Sequence, residues 1–452
     1  MTGRRPESLV ASQVWMMAAQ AAHLAGGLLV TVLLARFAEA EGFGVFATMR
    51  TALALTATAV EAGLGAALVA RLTTDAGSGE CLLGKLRRFR LLAALVLAAT
   101  IGPRLFREST LLAAALGLAI LSLPLRTGAA RLAARRLWRE QSLVPLLAQV
   151  LFVTAVCLRP GVETAAVALA AREGITSLWL GLAGARIAGA RPPASDRRES
   201  LAPYGWLVAA SVLGAFYLHL DVLAAREIGG FACAGRLGLG KAFVLPLIVA
   251  AGTLAAPLVP LLTRPGARPL RAAALIVGAL AAPSALLAFD PQVIAIVRER
   301  GDAGAEAALA IQGFTPLAVA LGSVGTLTLV ARRRFGSLCF IAALTLILDA
   351  VLIALLVPRL DAVGAAWATL LSECFVGAAS FVALRERDPR GLLGIALALL
   401  PVPAHAAYRC LLPIDSPGRL ALAVGAAALL SAAFTFSPPA RRIRAGLEGD
   451  RP

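Results

Sequence analysis

Seven ionisable residues interrupt stretches of this sequence that are otherwise apolar: Arg50, Glu61, Arg172, Glu173, Asp221, Asp349 and Glu373. On insertion scales, Arg or Asp at the centre of a bilayer costs of order 2.5–3.5 kcal/mol. Such residues are expected to face a bundle interior or a wet cavity, where they pair with one another or meet a charged ligand. Glu173 directly follows Arg172, so an ion pair accounts for both. Arg50 lies close to the start of its apolar run, where snorkelling competes with a cavity role. Asp221, Asp349 and Glu373 are read as cavity-lining or interhelical groups, without a choice between the two.

Other motifs carry less chemistry. Gly235 to Lys241 fits the GxxxxGK part of a phosphate-binding loop, but Ala242 follows and lacks the hydroxyl that would reach magnesium. No strand precedes it, and nucleotide binding is not expected. Glu39 and Glu41 could hold a metal or polarise an acceptor, as acidic pairs do in membrane glycosyltransferases. A solvated turn ahead of Gly42 explains them as well. His219 and Asp221, two apart on a helix, point about 200° from each other and cannot share a ligand. No metal site and no cofactor are expected.

The elements that must position these residues are membrane helices. The chain is 59% hydrophobic, against about 45–50% for a soluble domain, and its mean hydropathy is +0.82. Continuous apolar runs of ~20 residues match the ~30 Å hydrocarbon thickness and exclude the alternating pattern of barrel strands. Fourteen spans are predicted, near 14–35, 45–70, 89–106, 110–127, 143–159, 162–185, 203–225, 237–262, 270–289, 306–330, 337–357, 361–384, 391–409 and 419–437. Pro124, Pro246, Pro257, Pro283, Pro316 and Pro401 fall within them and should kink or break them. The formal charge of +17 sits in short arginine clusters between the runs, where topology and anionic lipid headgroups explain it better than nucleic acid does. With the N-terminus in the cytoplasm, cytoplasmic loops and tail hold 29 Lys and Arg, and the opposite side 12. The positive-inside rule then places both termini in the cytoplasm. The six cysteines are scattered and are expected to be free thiols.

The longest polar stretch, residues 186–200, divides the chain after six spans. A weak repeat supports that division: Ala35-Arg36 and Gly42-Phe43 recur as Ala225-Arg226 and Gly230-Phe231, at offsets of 190 and 188 residues. Each copy is placed at the outer turn joining the first two spans of its half. The expected organisation is an N-terminal lobe with linker over 1–200, a C-terminal lobe over 201–388, and two further spans with a basic tail over 389–452. Repeated halves are a transporter signature.

Three stretches carry a family resemblance. LLARFAEAEGFGVF (Leu33 to Phe46) with VEAGLGAALVAR (Val60 to Arg71) resembles the opening of Wzx-type polysaccharide-biosynthesis flippases, members of the multidrug/oligosaccharidyl-lipid/polysaccharide (MOP) exporter superfamily. LHLDVLAAREIGGFACAGRL (Leu218 to Leu237) is similar to that family's seventh and eighth spans. LVPRLDAVGAAWATLLSE (Leu356 to Glu373) is similar to its eleventh-to-twelfth span turn. The resemblance implies an all-α membrane protein of two six-helix lobes around a central cavity, working by alternating access in a bacterial inner membrane. Its implied cargo is an undecaprenyl-diphosphate-linked oligosaccharide, with Arg50, or less favourably Arg172, against the diphosphate. Arg50, Glu61, Arg172, Asp221, Asp349 and Glu373 are the cavity candidates, and H+ or Na+ is left open as the coupling ion. A polysaccharide polymerase and glycosyltransferases would be partners. Two departures stand out. Thr56 and Ala57 occupy the places of the paired arginines of lipid II flippases, and Asp349 stands where the family more often has Asn. The competing readings are a cation-coupled small-molecule exporter of the same superfamily and a membrane glycosyltransferase or ligase.

Overall fold

The structure is a computed structural model. It describes residues 9–61, 76–105, 109–135, 137–187, 205–255, 268–290, 302–386 and 388–399, with Leu68, Leu72, Leu262 and Val402. All regular structure among these residues is helical. Among the described residues, ten helices are long and apolar enough to cross a membrane by length and composition. One of them, Val208–Ala255, bends in the middle and takes in most of both spans expected at 203–225 and 237–262. The span at 419–437, most of that at 391–409 and the polar linker after Ile187 lie outside the described residues. The chain forms two compact units, Met1–Ala215 and Phe216–Pro452.

Unit 1 contains α1 (Leu9–Phe37), α2 (Ala40–Glu61), α3 (Ala76–Leu105), α4 (Thr110–Ser122), a 3-10 turn (Leu123–Arg126), α5 (Thr127–Ala134), α6 (Trp138–Leu158) and α7 (Val162–Ile187). Ser109 caps α4 by accepting a hydrogen bond from the Leu112 amide at 3.3 Å. Pro124 tightens the chain into the 3-10 turn, so the proline kink falls where a ring without an N–H must break the ladder. Glycines then let this segment approach α7 closely: a side chain on Gly128 would collide with the Leu180 carbonyl, and one on Gly184 with Gly128 itself. Gly128→Ala is expected to destabilise the protein by about 1–3 kcal/mol through overpacking. An unchanged melting temperature of the purified variant would mean that the close approach is not needed.

α2 begins at Ala40, five residues before the predicted span, so Arg50 lies deeper than its sequence position suggested. The break between α1 and α2 also precedes Gly42, which lies within α2. Arg90 is buried in α3 and donates to the Glu61 carbonyl at 3.2 Å. Large apolar side chains such as Leu92, Val96, Leu118, Leu151 and Leu178 are exposed on this unit. On helices of spanning length they suit a lipid solvent.

Unit 2 holds most of α8 (Gly205–Ala255), then α9 (Pro269–Phe289), α10 (Ala303–Gln312), α11 (Thr315–Ala331), α12 (Phe335–Leu360), α13 (Ala362–Leu384) and α14 (Pro389–Ala398). α8 turns back on itself at Gly230, whose φ of 77° is open to glycine and costly for other residues. The outer loop expected at 226–236 is thus reduced to one residue of non-helical backbone. Pro246 and Pro283 are carried inside α8 and α9, while Pro316 sits in the first turn of α11, where its missing N–H costs nothing. Pro257 and Pro401 lie outside the described residues.

The α12–α13 turn is equally tight. Asp361 adopts φ 54°, and a side chain on Gly364 would collide with the Leu356 carbonyl. Arg236 secures this end by pairing with Asp361 at 2.6 Å and Asp302 at 3.3 Å. Burial alone would raise the Asp361 carboxyl, but hydrogen bonds from Cys233 and Arg236 hold it below the usual carboxylate range. At the start of α14, Asp388 caps the helix through the Arg390 amide and pairs with Arg271 at 2.8 Å.

Candidate functional site

Each unit holds an ionic cluster among its spans, half-buried in unit 1 and more deeply buried in unit 2. In unit 1, Arg50 and Arg172 each lie ten residues after the first residue of their helices, Ala40 and Val162. Those two helix starts adjoin, since Gly42, Val45, Gly161 and Val162 line one pocket of ≈480 Å³ together with Glu39 and Glu41. At a rise of 1.5 Å per residue, both arginines sit roughly 15 Å below that end, near the middle of a bilayer.

Glu173 is held between two guanidinium groups, Arg172 beside it on α7 and Arg126 from the 3-10 turn. The close packing of Gly128, Gly181 and Gly184 brings Arg126 to α7, where its Nε also donates to Ser177 Oγ at 3.0 Å. Arg172 donates to Gln149 Oε1 at 2.8 Å and lies over the Phe152 ring at 5.3 Å. The remaining amide nitrogen of Gln149 is buried without a partner.

Arg50 is different. Among the described residues no carboxylate pairs with it, and its hydrogen bond is a long one to Thr31 Oγ1 at 3.4 Å. It nevertheless feels the charge of Arg172, as does His23 on α1. Arg50, Arg126 and Arg172 against one Glu173 leave two positive charges in excess. Such a cluster, within helices of spanning length, is suited to an anion with several oxygens. Glu61 does not join it: the residue is exposed at the end of α2.

Unit 2 gathers the opposite charge. Asp221 lies nine residues before Gly230 and Lys241 eleven after it, so the two limbs of α8 bring them to similar depth. Lys241 Nζ meets both Asp221 oxygens at 2.8 Å and the Leu218 carbonyl at 2.8 Å. Thr369 of α13 adds a hydrogen bond to Asp221 Oδ2 at 2.9 Å. Asp349 and Glu373 stand twelve residues before and after Asp361, again at matching depth on paired helices. Ser372 Oγ donates to Asp349 Oδ1 at 3.1 Å. Asp221, Asp349 and Glu373 are all buried, and both aspartates add to the charge that Glu373 feels. Among the described residues no three His, Cys, Asp or Glu are placed to hold a metal ion.

Sequence reasoning missed Arg126 and Lys241, both treated as loop charges. Their signal was present as a lone base inside a span, two residues after Pro124 in one case and within the failed phosphate-loop motif in the other. That motif is helical here, and its lysine is committed to Asp221.

The ten helices of spanning length and composition among the described residues define a multi-pass membrane protein. No family model matches the chain, and no curated protein matches it by sequence. Among solved structures it is similar to the lipid II flippase MurJ in an inward closed conformation, at TM-score 0.73 and 12% identity over 94% of this chain and 98% of that one. It is also similar to a multidrug resistance MATE family transporter of the MOP superfamily. The inward-facing form matches at TM-score 0.55 and 13% identity over 85% of this chain and 96% of that one. The outward-facing form matches at TM-score 0.51 and 14% identity over 86% and 95%. At these identities the likeness is one of fold, the helical fold of MOP-superfamily transporters.

Proposed function

We propose that this protein is a flippase that moves an undecaprenyl-diphosphate-linked oligosaccharide across a bacterial inner membrane by alternating access. Its two lobes would be 1–200 and 201–388, with 389–452 adding two spans and a cytoplasmic tail. The observation that carries this reading is Arg50, a guanidinium about 15 Å inside a span with no carboxylate partner among the described residues, beside the Arg126–Glu173–Arg172 cluster. A cation at that depth is costly unless an anion or water meets it, and a diphosphate supplies oxygens in the spacing that a guanidinium fork binds. The likeness to a lipid II flippase supports the same class of anionic lipid cargo.

Deletion of the protein should leave lipid-linked repeat units on the cytoplasmic leaflet. Restored variants at equal membrane abundance should export in the order native, Arg50→Lys, Arg50→Ala. Lysine keeps the charge and loses the fork. The alanine variant should fall roughly 10- to 100-fold, since a hydrogen bond to a charged group contributes about 1.5–3 kcal/mol. Normal export by Arg50→Ala would overturn Arg50's role. Accumulation of lipid II in place of repeat units would replace the cargo.

The acidic cluster of unit 2 favours a second reading, a cation-coupled exporter of small molecules. Sensitivity to cationic compounds with no lipid-linked intermediate on either leaflet would select it.

A further inference from the structure

Unit 2 buries three carboxylates around one ammonium. Lys241 is fully committed, its Nζ holding both oxygens of Asp221 and the Leu218 carbonyl, each at 2.8 Å. That pair is neutral in itself. Asp349 is 1% exposed, and while one oxygen accepts from Ser372, the other is buried without a hydrogen-bond partner. Glu373, 4% exposed, follows Ser372 on α13.

The groups that face this pair come from α8 and α13. α8 contributes Tyr217, Asp221 and Lys241, with His219 two residues before Asp221 and so directed away from it. α13 contributes Thr369, Ser372 and Glu373 itself, followed by the exposed Cys374. α11, packed on α13, has no ionisable side chain, and α10 has only Glu306 in its first turn. Lys241 is therefore the one cation among these groups, and Asp221 already holds it.

Two ionised carboxylates in an apolar interior without a counter-charge are strongly unfavourable, and such groups neutralise instead. A bound metal cation could do this, but Lys241 already occupies both oxygens of Asp221 and the Leu218 carbonyl, and among the described residues no three His, Cys, Asp or Glu are placed to hold a metal ion. We propose that Lys241 is the tethered cation of unit 2, and that Asp349 and Glu373 form a proton-loading pair, so that the ion this protein takes up is H+ and not Na+. Losing a proton from either acid creates a carboxylate that competes with Asp221 for the Lys241 ammonium. Protonation is thereby tied to how α8 packs on α12 and α13. The inference rests on the transporter reading only in linking proton uptake to cargo movement; proton binding belongs to the purified protein.

The test therefore uses purified full-length protein without cargo. Infrared spectra of the native protein at neutral pH should contain the carbonyl band of buried protonated carboxylic acids. The band should fall reversibly at alkaline pH and shrink in Asp349→Asn and in Glu373→Gln. In parallel, Na+ replacing K+ at constant ionic strength should leave the native melting temperature unchanged. Lys241→Met, which frees the Asp221 and Leu218 oxygens, should gain stabilisation by Na+. Absence of the band, or a band equal in native and both variants, would overturn the proton pair. A rise in the native melting temperature with Na+ would overturn the tethered-cation role. If Lys241→Met does not fold, the two native measurements still decide. None of these readouts involves the cargo, so a wrong cargo assignment leaves them intact.

Discussion

Lys241→Met is expected to destabilise the protein by about 3–5 kcal/mol, the range for breaking a buried ion pair and leaving one charge uncompensated. Asp221 is 1% exposed and Lys241 19%, so solvent does little to compensate the carboxylate left behind. Removing both charges is far milder, because no group is then stranded. Asp221→Asn combined with Lys241→Met should accordingly recover most of the loss. Thermal unfolding of the four proteins in one detergent forms a double-mutant cycle. Losses that simply add would show that Lys241 and Asp221 are not energetically coupled.

Glu173→Gln should have an effect of similar size in unit 1, but with an opposite sign toward anions. Glu173 is the carboxylate between Arg126 and Arg172. Its neutral replacement leaves guanidinium groups of 19% and 13% exposure without their counter-ion. The melting temperature is expected to fall, again on the scale of about 3–5 kcal/mol. Pyrophosphate, offered as a soluble stand-in for the cargo headgroup, should then stabilise Glu173→Gln more than the native protein, because two freed arginines can bind it. Equal stabilisation of both proteins would mean that this cluster does not reach a ligand, and that Glu173 serves only to hold the 3-10 turn to α7.

The two clusters show where reading residues in order stops. Arg172 with Glu173 could be paired by adjacency alone, and the structure has that pair. Arg126 reaches Glu173 from 47 positions away, and only because glycines at 128, 181 and 184 let two segments approach closely. Arg50's depth depended on where its helix begins. Apolar content marks a span well but its end poorly, and α2 takes in Ala40 to Gly44 ahead of the apolar run.

What the sequence determined by itself is the solvent of this protein and the class of its secondary structure. Apolar runs of ~20 residues can satisfy their backbones in lipid only as helices, whatever packs beside them. The sequence also marked six cavity candidates, because a charge within such a run is conspicuous on composition alone. The tertiary structure decided which of them meet. Asp221 finds Lys241 because α8 folds back at Gly230, and Asp349 and Glu373 come to matching depth because α12 and α13 turn at Asp361. Glu61, equally conspicuous in sequence, ends exposed. Partner choice inside a bundle depends on depth and helix rotation, which single residues do not encode, and on close approaches that only packing reveals.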